Sequence, residues 1–528
     1  MKPLQKTLVI VLLFIINSAY ADTCEQPLAV ETLVQTAHAS GYGMDPRNTQ
    51  LQSNPGFSKQ DIANLALDWV FAIPKGIQVR SQPVITEQAI FFGTQYGDVY
   101  ALDRESGCTY WKFNSNLEIR TALSIGPSED GTGANLYFGD FVGNVFAIDA
   151  GTGELIWKQK ASNHSSATIT GAPTLYNDVL YVPVSSFEIG LAAIPFYPCC
   201  RFQGQVVAFN AYTGEMLWRE SVFVDPPTRV EGRPYYWPHY APSGATVWSS
   251  PTIDAKRNRL YVGTDQSYMH PAGDASDAII AFDLTSGEVL WRQQTFANDV
   301  YNLSCITNTG NCPDPGSDFD YGAPPILTTT SNGKDIILAG QKSGMVSAMD
   351  PDNDGAILWQ NRVGAGGALG GVHWGMAVEG DTLYVPISDV PYIDVPGVDG
   401  ELRPGVYALD INSGRMLWEA KPQVPCGDST CVPHFSAAAI AVPGAVFASD
   451  LDGTIWAFDV ATGETLWSFN SDLLYLRTVN KKIGYGGSID AAGQVIGGGR
   501  LIVMSGYSNY FFSGKEAGNA LVVLAPQQ

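Results

Sequence analysis

"GDVYALDRESGCTYW", Gly97–Trp111, is an apolar run closed by an aspartate, a polar turn holding a glycine, and a second short run ending in tryptophan. The pattern returns as "GNVFAIDAGTGELIW" (143–157), "GQVVAFNAYTGEMLW" (204–218) and "AIIAFDLTSGEVLW" (278–291). It returns again as "GMVSAMDPDNDGAILW" (344–359), "GVYALDINSGRMLW" (405–418) and "GTIWAFDVATGETLW" (453–467). Each copy reads as a hairpin, because Asp and Gly supply the local hydrogen bonds and the left-handed backbone of a tight turn. Two more strand-like runs precede each copy, such as "SQPVI" and "AIFFGT" before the first. Four short antiparallel strands per repeating unit make a propeller blade. A helical solenoid is opposed by the period-two alternation and by the density of Gly and Pro.

Seven copies are complete and the eighth is split. "GNALVVLA", Gly518–Ala525, is a third strand with no tryptophan-bearing partner after it, and "LDWVF", Leu67–Phe71, is an orphan strand with its own Trp69. Setting Leu67–Phe71 beside Asn519–Leu524 completes the blade and removes the exposed edges of an open ring. The predicted fold is all-β, an eight-bladed β-propeller with tryptophan-docking repeats, whose N- and C-terminal strands share one blade. The predicted domain plan is a leader over 1–21, an N-terminal extension over 22–66 and the propeller over 67–528.

Lys2 and Lys6 precede the apolar run Leu8–Ile16, and Ala19-Tyr20-Ala21 offers small residues for cleavage after Ala21. That is a secretory signal, and it predicts a periplasmic or secreted protein. The run is too short to span a bilayer, and no other stretch approaches spanning length. Eight cysteines in an exported chain are expected to be oxidised. Spacing suggests Cys305 with Cys312, Cys426 with Cys431, and the neighbours Cys199 and Cys200, leaving Cys24 with Cys108. The formal charge of −22 repels nucleic acid and anionic membranes and keeps the chain soluble.

Intervals between the closing tryptophans widen in the middle blades. The extra residues fall between second and third strands, or between one blade and the next, two connections that share a face. Segments 185–202, 221–247, 265–277 and 294–319 should therefore frame one mouth of the channel, where long loops on a rigid scaffold carry function. Glu188, Asp265, Asp299 and Asn302 lie there, with Trp248, Lys342, Thr170 and Ser185. Carboxylates and amide oxygens are hard ligands suited to Ca²⁺. An indole offers a face to a flat ring, a lysine polarises a carbonyl, and an acid serves as general base. Singly each residue has a bland reading, a solvated acid or a core indole; their convergence on one mouth is what points to a site. His373, Trp374 and His434 begin inner strands of later blades and are placed along the channel.

These residues resemble a known family. The eight-bladed repeat is similar to the pyrroloquinoline quinone (PQQ) dependent alcohol dehydrogenases. "YPCCRFQGQVVAFNAYTGEMLW", "VWSSPTID", "AGQKSGMVSAMD" and "GGVHWGMA" resemble the polyvinyl alcohol dehydrogenases among them. The resemblance implies a Cys199–Cys200 disulfide on one face of the quinone and Trp248 on the other. It implies Thr170, Ser185 and either Arg120 or Arg201 at the quinone's carboxylates, and Lys342 at its reactive carbonyls. It implies Ca²⁺ ligands from Glu188, Asp265, Gln266 and Asn302. The usual asparagine ligand reads Gln266 here, and the usual catalytic aspartate reads Asn302. An amide is no base at neutral pH, so the resemblance leaves Asp299 or Asp265 for that role. The implied reaction is two-electron oxidation of an alcohol. With no CxxCH in the sequence, electrons would pass to a separate acceptor such as a cytochrome c. Three rivals stand beside this reading: a non-enzymatic scaffold propeller of the cell envelope, a PQQ enzyme acting on sugars, polyols or small secondary alcohols, and a family member that has lost activity, to which Asn302 points.

Overall fold

The structure, a computed structural model, describes residues 23–312, 314–390, 400–426, 429–491, 493–507 and 517–527, with backbone only at 426 and 429–431. The expected leader and the Cys426–Cys431 pairing lie outside the described residues and side chains.

Eight antiparallel sheets of four blade strands follow one another around the ring. In the first, Val84–Thr86, Ala89–Gly93, Asp98–Asp103 and Thr109–Asn114 run from the inside out. The eighth has the order Leu65–Ala72, Ala520–Pro526, Arg500–Ser505, Gln494–Gly497, so both ends of the chain build it. Trp69 pairs with Val523 and Phe71 with Leu521. The third strands read as nearly continuous apolar runs because neighbouring sheets cover both their faces. Only the end residues of Asp98–Asp103 escape full burial.

The repeat's consonants each have a physical role. The alanine of "VYALD" pairs with the closing tryptophan across the hairpin, Ala101 with Trp111 and Ala147 with Trp157, which leaves room for the indole. The indole then reaches the next blade. Trp111 Nε1 donates to the Ala150 carbonyl at 2.9 Å, Trp157 to Ala211 at 2.8 Å, and Trp218 to Leu284 at 3.1 Å. Trp359, Trp418 and Trp467 do the same to Ile411, Val460 and Leu65. Trp291 makes no such bond, and the Pro351 carbonyl in its neighbour's turn accepts from Arg259 at 2.6 Å instead. The turn glycine of each following blade lies under the indole. At Gly153, φ is +75° and an added Cβ would stand 2.6 Å from Trp111 Cε3.

The N-terminal segment is part of the ring. Cys24 is disulfide-bonded to Cys108, and Ala37–Ala39 pairs with Val84–Thr86. Residues 46–50 then cross the far ends of successive inner strands. The carbonyls of Pro46, Arg47, Thr49 and Gln50 accept from the amides of Ile253, Leu327, Val378 and Ala441. This strap lies across the bore at the end away from the long loops.

Candidate functional site

The four long loops are tied to one another. Isolated bridges join Gln203 to Gly244, Gly244 to Ser267 and Ser267 to Val300. They frame a cavity of about 380 Å³, within the range that holds a small cofactor. Thr168, Thr170, Ser185 and Ser186 line one side, Trp248 and Trp374 another, and Asp265, Asp318, Asp320, Lys342, Arg120 and His373 supply the charge-bearing groups.

The hydroxyl row follows from strand pairing. Thr168 is opposite Ser185, and Ser185 Oγ lies 2.8 Å from Thr168 Oγ1 and 2.6 Å from Thr170 Oγ1. Trp248 meets Trp374 edge-on, ring centres 5.2 Å apart at 79°. The Arg120 guanidinium lies 5.1 Å from the Trp374 ring centre, and its buried Nε has no hydrogen-bond partner. Arg120 thus presents a donor-rich cation to the cavity, ready for a carboxylate.

Lys342 is held by acids. Its Nζ donates to Asp320 Oδ2 at 2.7 Å and to Asp318 Oδ2 at 3.1 Å. Burial pulls the ammonium's pKa down, but Asp318 and Asp320 outweigh it and keep it raised, so Lys342 stays charged. One ammonium does not balance the carboxylates around it. Burial pushes Asp265 and Asp318 well above the usual carboxylate range, with Asp320 adding to both. Among the described residues, Oδ1 of Asp320 and Oδ2 of the nearby buried Asp277 have no hydrogen-bond partner. Asp318 and Asp320 were absent from the sequence-based candidates. The stretch "PGSDFDYG" carries no motif, and only the pairing with Lys342 marks it.

Several expected residues are engaged elsewhere. Asp299 is buried beneath its loop, where its carboxylate accepts from the amides of Ser317, Asp318 and Phe319 at 2.7, 3.2 and 2.8 Å. It shapes the segment that carries Asp318 and Asp320 and does not line the cavity. Asn302 does not line it either. Its Nδ2 donates to the carbonyls of Tyr268 and Asn311, and its Oδ1 accepts from Ser304 N. Gln266 Nε2 donates to the Tyr301 carbonyl, while its buried Oε1 has no partner. Asp265 lines the cavity but accepts from the amide and hydroxyl of Thr246.

Glu188 opens a single helical turn, Glu188–Leu191. Its carboxylate accepts from Arg201 N at 2.9 Å, Phe202 N at 2.6 Å and Tyr197 OH at 3.0 Å. The Arg201 side chain is exposed, lying over the Tyr240 ring and bonded to its hydroxyl, away from the cavity. Cys199 and Cys200 form a disulfide that is fully buried with Ala192, Ala241, Tyr268 and Met269. The disulfide does not line the cavity; Tyr268 does, and it packs in the disulfide's cluster. Cys305 and Cys312 pair as expected. His434 Nδ1 is bonded to the Ser388 carbonyl at 2.6 Å and stands apart from the cavity lining. Among the described residues no group of three or more His, Cys, Asp or Glu side chains is arranged to hold a metal ion.

An eight-bladed propeller with an aromatic-walled, charged cavity at one mouth is the architecture of the quinoprotein class. The chain belongs to the PQQ-dependent glucose/ethanol/alcohol dehydrogenase family, whose β-propeller domain matches residues 40–360. The outer membrane assembly factor BamB family matches residues 342–510, where the same blade repeat continues. The chain is 36% identical over 475 residues to a polyvinylalcohol dehydrogenase of a Pseudomonas species, covering 89% of this chain and 73% of that protein. It is 35% identical over 484 residues to that of Sphingopyxis sp. strain 113P3, covering 89% and 72%. The solved quinohemoprotein alcohol dehydrogenase ADHIIG of Pseudomonas putida HK5 has the same fold, with TM-score 0.70 at 17% identity over 95% of this chain and 83% of that one.

Proposed function

We propose that this protein oxidises secondary alcohols, polyvinyl alcohol-like polymers foremost, with PQQ held in the mouth cavity. The observation that carries the reading is the cavity's donor set: Trp248 as a flat wall, Lys342 and Arg120 as cations, the latter with Nε unbonded among the described residues, and the hydroxyls of Thr168, Thr170 and Ser185. A flat tricarboxylate quinone fits those groups. Arg120 and the hydroxyl row would take its carboxylates, and Lys342 would sit at its carbonyl edge. Tyr268, backed by the Cys199–Cys200 disulfide, forms part of the same cavity as Trp248. When bound, PQQ supplies the acceptor for two electrons.

The residues present do not fit the companion Ca²⁺ ion as arranged. Glu188 is engaged by two backbone amides and a phenol, and Asn302 by its own loop. Lys342 is the positive charge that would face the reacting end.

The mouth supports a long substrate. Its loops expose Phe187, Phe196, Tyr235 and Tyr236, apolar area that a chain emerging from the cavity would cover. The three disulfides suit an oxidising compartment, and among the described residues no helix is long and apolar enough to cross a membrane. A periplasmic or secreted location and a separate acceptor such as a cytochrome c complete the proposal.

The test is spectroscopic and then kinetic. Adding PQQ to the purified protein should produce a bound-quinone spectrum that weakens in Trp248→Ala and Arg120→Ala. Turnover with an artificial electron acceptor should be faster on polyvinyl alcohol and secondary alcohols than on sugars. A wild type that binds no PQQ overturns the reading.

A further inference from the structure

We propose that His373 is the base that takes the hydroxyl proton of the alcohol, held in its accepting form by Ser436 and Asp490. The proposal rests on the alcohol oxidation proposed above and supplies the proton acceptor that Asn302 and Asp299 do not.

The hydrogen-bond directions fix the tautomer. Ser436 Oγ donates to Asp490 Oδ1 at 2.6 Å, because a carboxylate only accepts. The Ser436 oxygen is then free to accept, and His373 Nδ1 lies 2.7 Å from it. The proton therefore sits on Nδ1, and Nε2 carries the lone pair. No hydrogen bond reaches Nε2 among the described residues, and the ring lines the cavity. Asp490 Oδ1 is itself anchored by the amide of Ala491 at 2.8 Å. Trp374 lies against the imidazole with ring centres 4.9 Å apart, and Trp248 meets it edge-on at 6.2 Å. The ring is thus locked between the aromatic wall and the Ser436–Asp490 relay.

The charged groups facing the imidazole are Asp490, Lys342 and Arg120. Burial lowers the His373 pKa to about 4, Asp490 raising it and Lys342 and Arg120 lowering it further. The ring is neutral, and therefore able to accept, throughout the physiological range. Of the other acids at the cavity, Asp318 and Asp320 each give Oδ2 to Lys342 and Asp265 accepts from Thr246, while Oδ1 of Asp320 is left without a partner among the described residues.

The step balances. The alcohol O–H bond breaks, its proton forms the N–H bond at Nε2, and the electron pair stays on oxygen. The carbinol C–H bond breaks with its pair passing to the quinone oxidant, and the oxygen pair closes the C=O bond. The proton on His373 Nε2 returns to solvent, and a bound quinone would supply the route by which the two electrons reach the separate acceptor. His373 is the catalytic residue; Ser436 and Asp490 position it.

Nitrogen NMR of protein with ¹⁵N-labelled histidine reads the tautomer without cofactor or turnover, and the His373→Gln spectrum assigns the signals. The expected result is a protonated Nδ1 and an unprotonated Nε2 at neutral pH. In the PQQ-loaded enzyme, His373→Gln should keep quinone binding within a few-fold and lower kcat by roughly 10²–10⁴-fold. The acid limb of wild-type kcat/KM should lie near pH 4, and Asp490→Asn should move it lower, because Asp490 raises the imidazole's pKa. Ser436→Ala should yield a mixture of tautomers. A protonated Nε2, a His373→Gln enzyme that turns over like wild type, or one that no longer binds PQQ overturns the assignment. If wild type binds PQQ yet oxidises no alcohol, the proposed function falls first and this inference with it.

Discussion

Nζ of Lys342 lies 2.7 Å from Oδ2 of Asp320, while Oδ1 of the same carboxylate has no hydrogen-bond partner. The pair is buried, with side-chain exposures of 5% and 8%, so removing one partner leaves an uncompensated charge. Such losses cost about 3–5 kcal/mol. Lys342→Met should therefore be strongly destabilised, by an amount that depends on pH. Without the ammonium, Asp318 and Asp320 titrate even further above their unfolded values. A raised carboxylate binds its proton more tightly in the folded state, so the deficit is smallest at acid pH and grows as pH rises. Melting temperatures at pH 5 and pH 8 check this; an equal loss at both values contradicts it.

Gly322 faces Trp248 in the same manner that turn glycines face the ring tryptophans. A Cβ there would stand 2.0 Å from Trp248 Cη2 and 2.6 Å from the His373 carbonyl. Gly322→Ala must push the indole into the cavity or away from it. We expect PQQ affinity to fall at least tenfold, with the far-ultraviolet spectrum of the propeller retained. Fluorescence titration with the quinone measures it, and wild-type affinity in the variant would show that the indole is not a cofactor wall.

How much of this was legible beforehand divides along the range of the interaction. The blade repeat is local: alanine, turn glycine and tryptophan lie within one hairpin, and each has a role within that hairpin or in its neighbour. The split eighth blade followed because a ring must close, and the register Trp69–Val523 is its result. The strap at 46–50 left no mark, since it bonds through backbone carbonyls that any sequence offers. Asp299 and Asn302 belong to the long middle loops, but their side-chain partners, the amides of Ser317, Asp318 and Phe319 and the carbonyl of Asn311, are set by tertiary folding. The His373–Ser436–Asp490 relay was equally hidden. It draws on residues 63 and 54 apart that only the ring brings together.

Glu188 separates two roles by one substitution. Its carboxylate ties the amides of Arg201 and Phe202 to the short helical turn, which fixes the segment holding the Cys199–Cys200 disulfide. Glu188→Gln places an amide against those donors and should cost about 1.5–3 kcal/mol, the range for hydrogen bonds to a charged group. As a structural clasp it need not touch a metal. The change in melting temperature on adding Ca²⁺ should therefore be the same in wild type and variant. A calcium shift present in wild type and lost in Glu188→Gln would restore this residue as a ligand.

The ring's tryptophan packing is tested by two glycines with matching backbone and different surroundings. Gly153 has φ +75° and lies on Trp111; Gly131 has φ +70° and nothing within 4 Å of an added Cβ. Alanine at either position incurs the left-handed penalty, about 1–2 kcal/mol. At Gly153 the methyl also collides with Trp111 at 2.6 Å and must displace an indole bonded to the Ala150 carbonyl in the next blade. Overpacking of that kind adds roughly 1–3 kcal/mol. Gly153→Ala should thus lose more stability than Gly131→Ala by about that increment in denaturant unfolding followed by tryptophan fluorescence. Equal losses would mean that the indoles tolerate the extra methyl and that the blades are held together by other contacts.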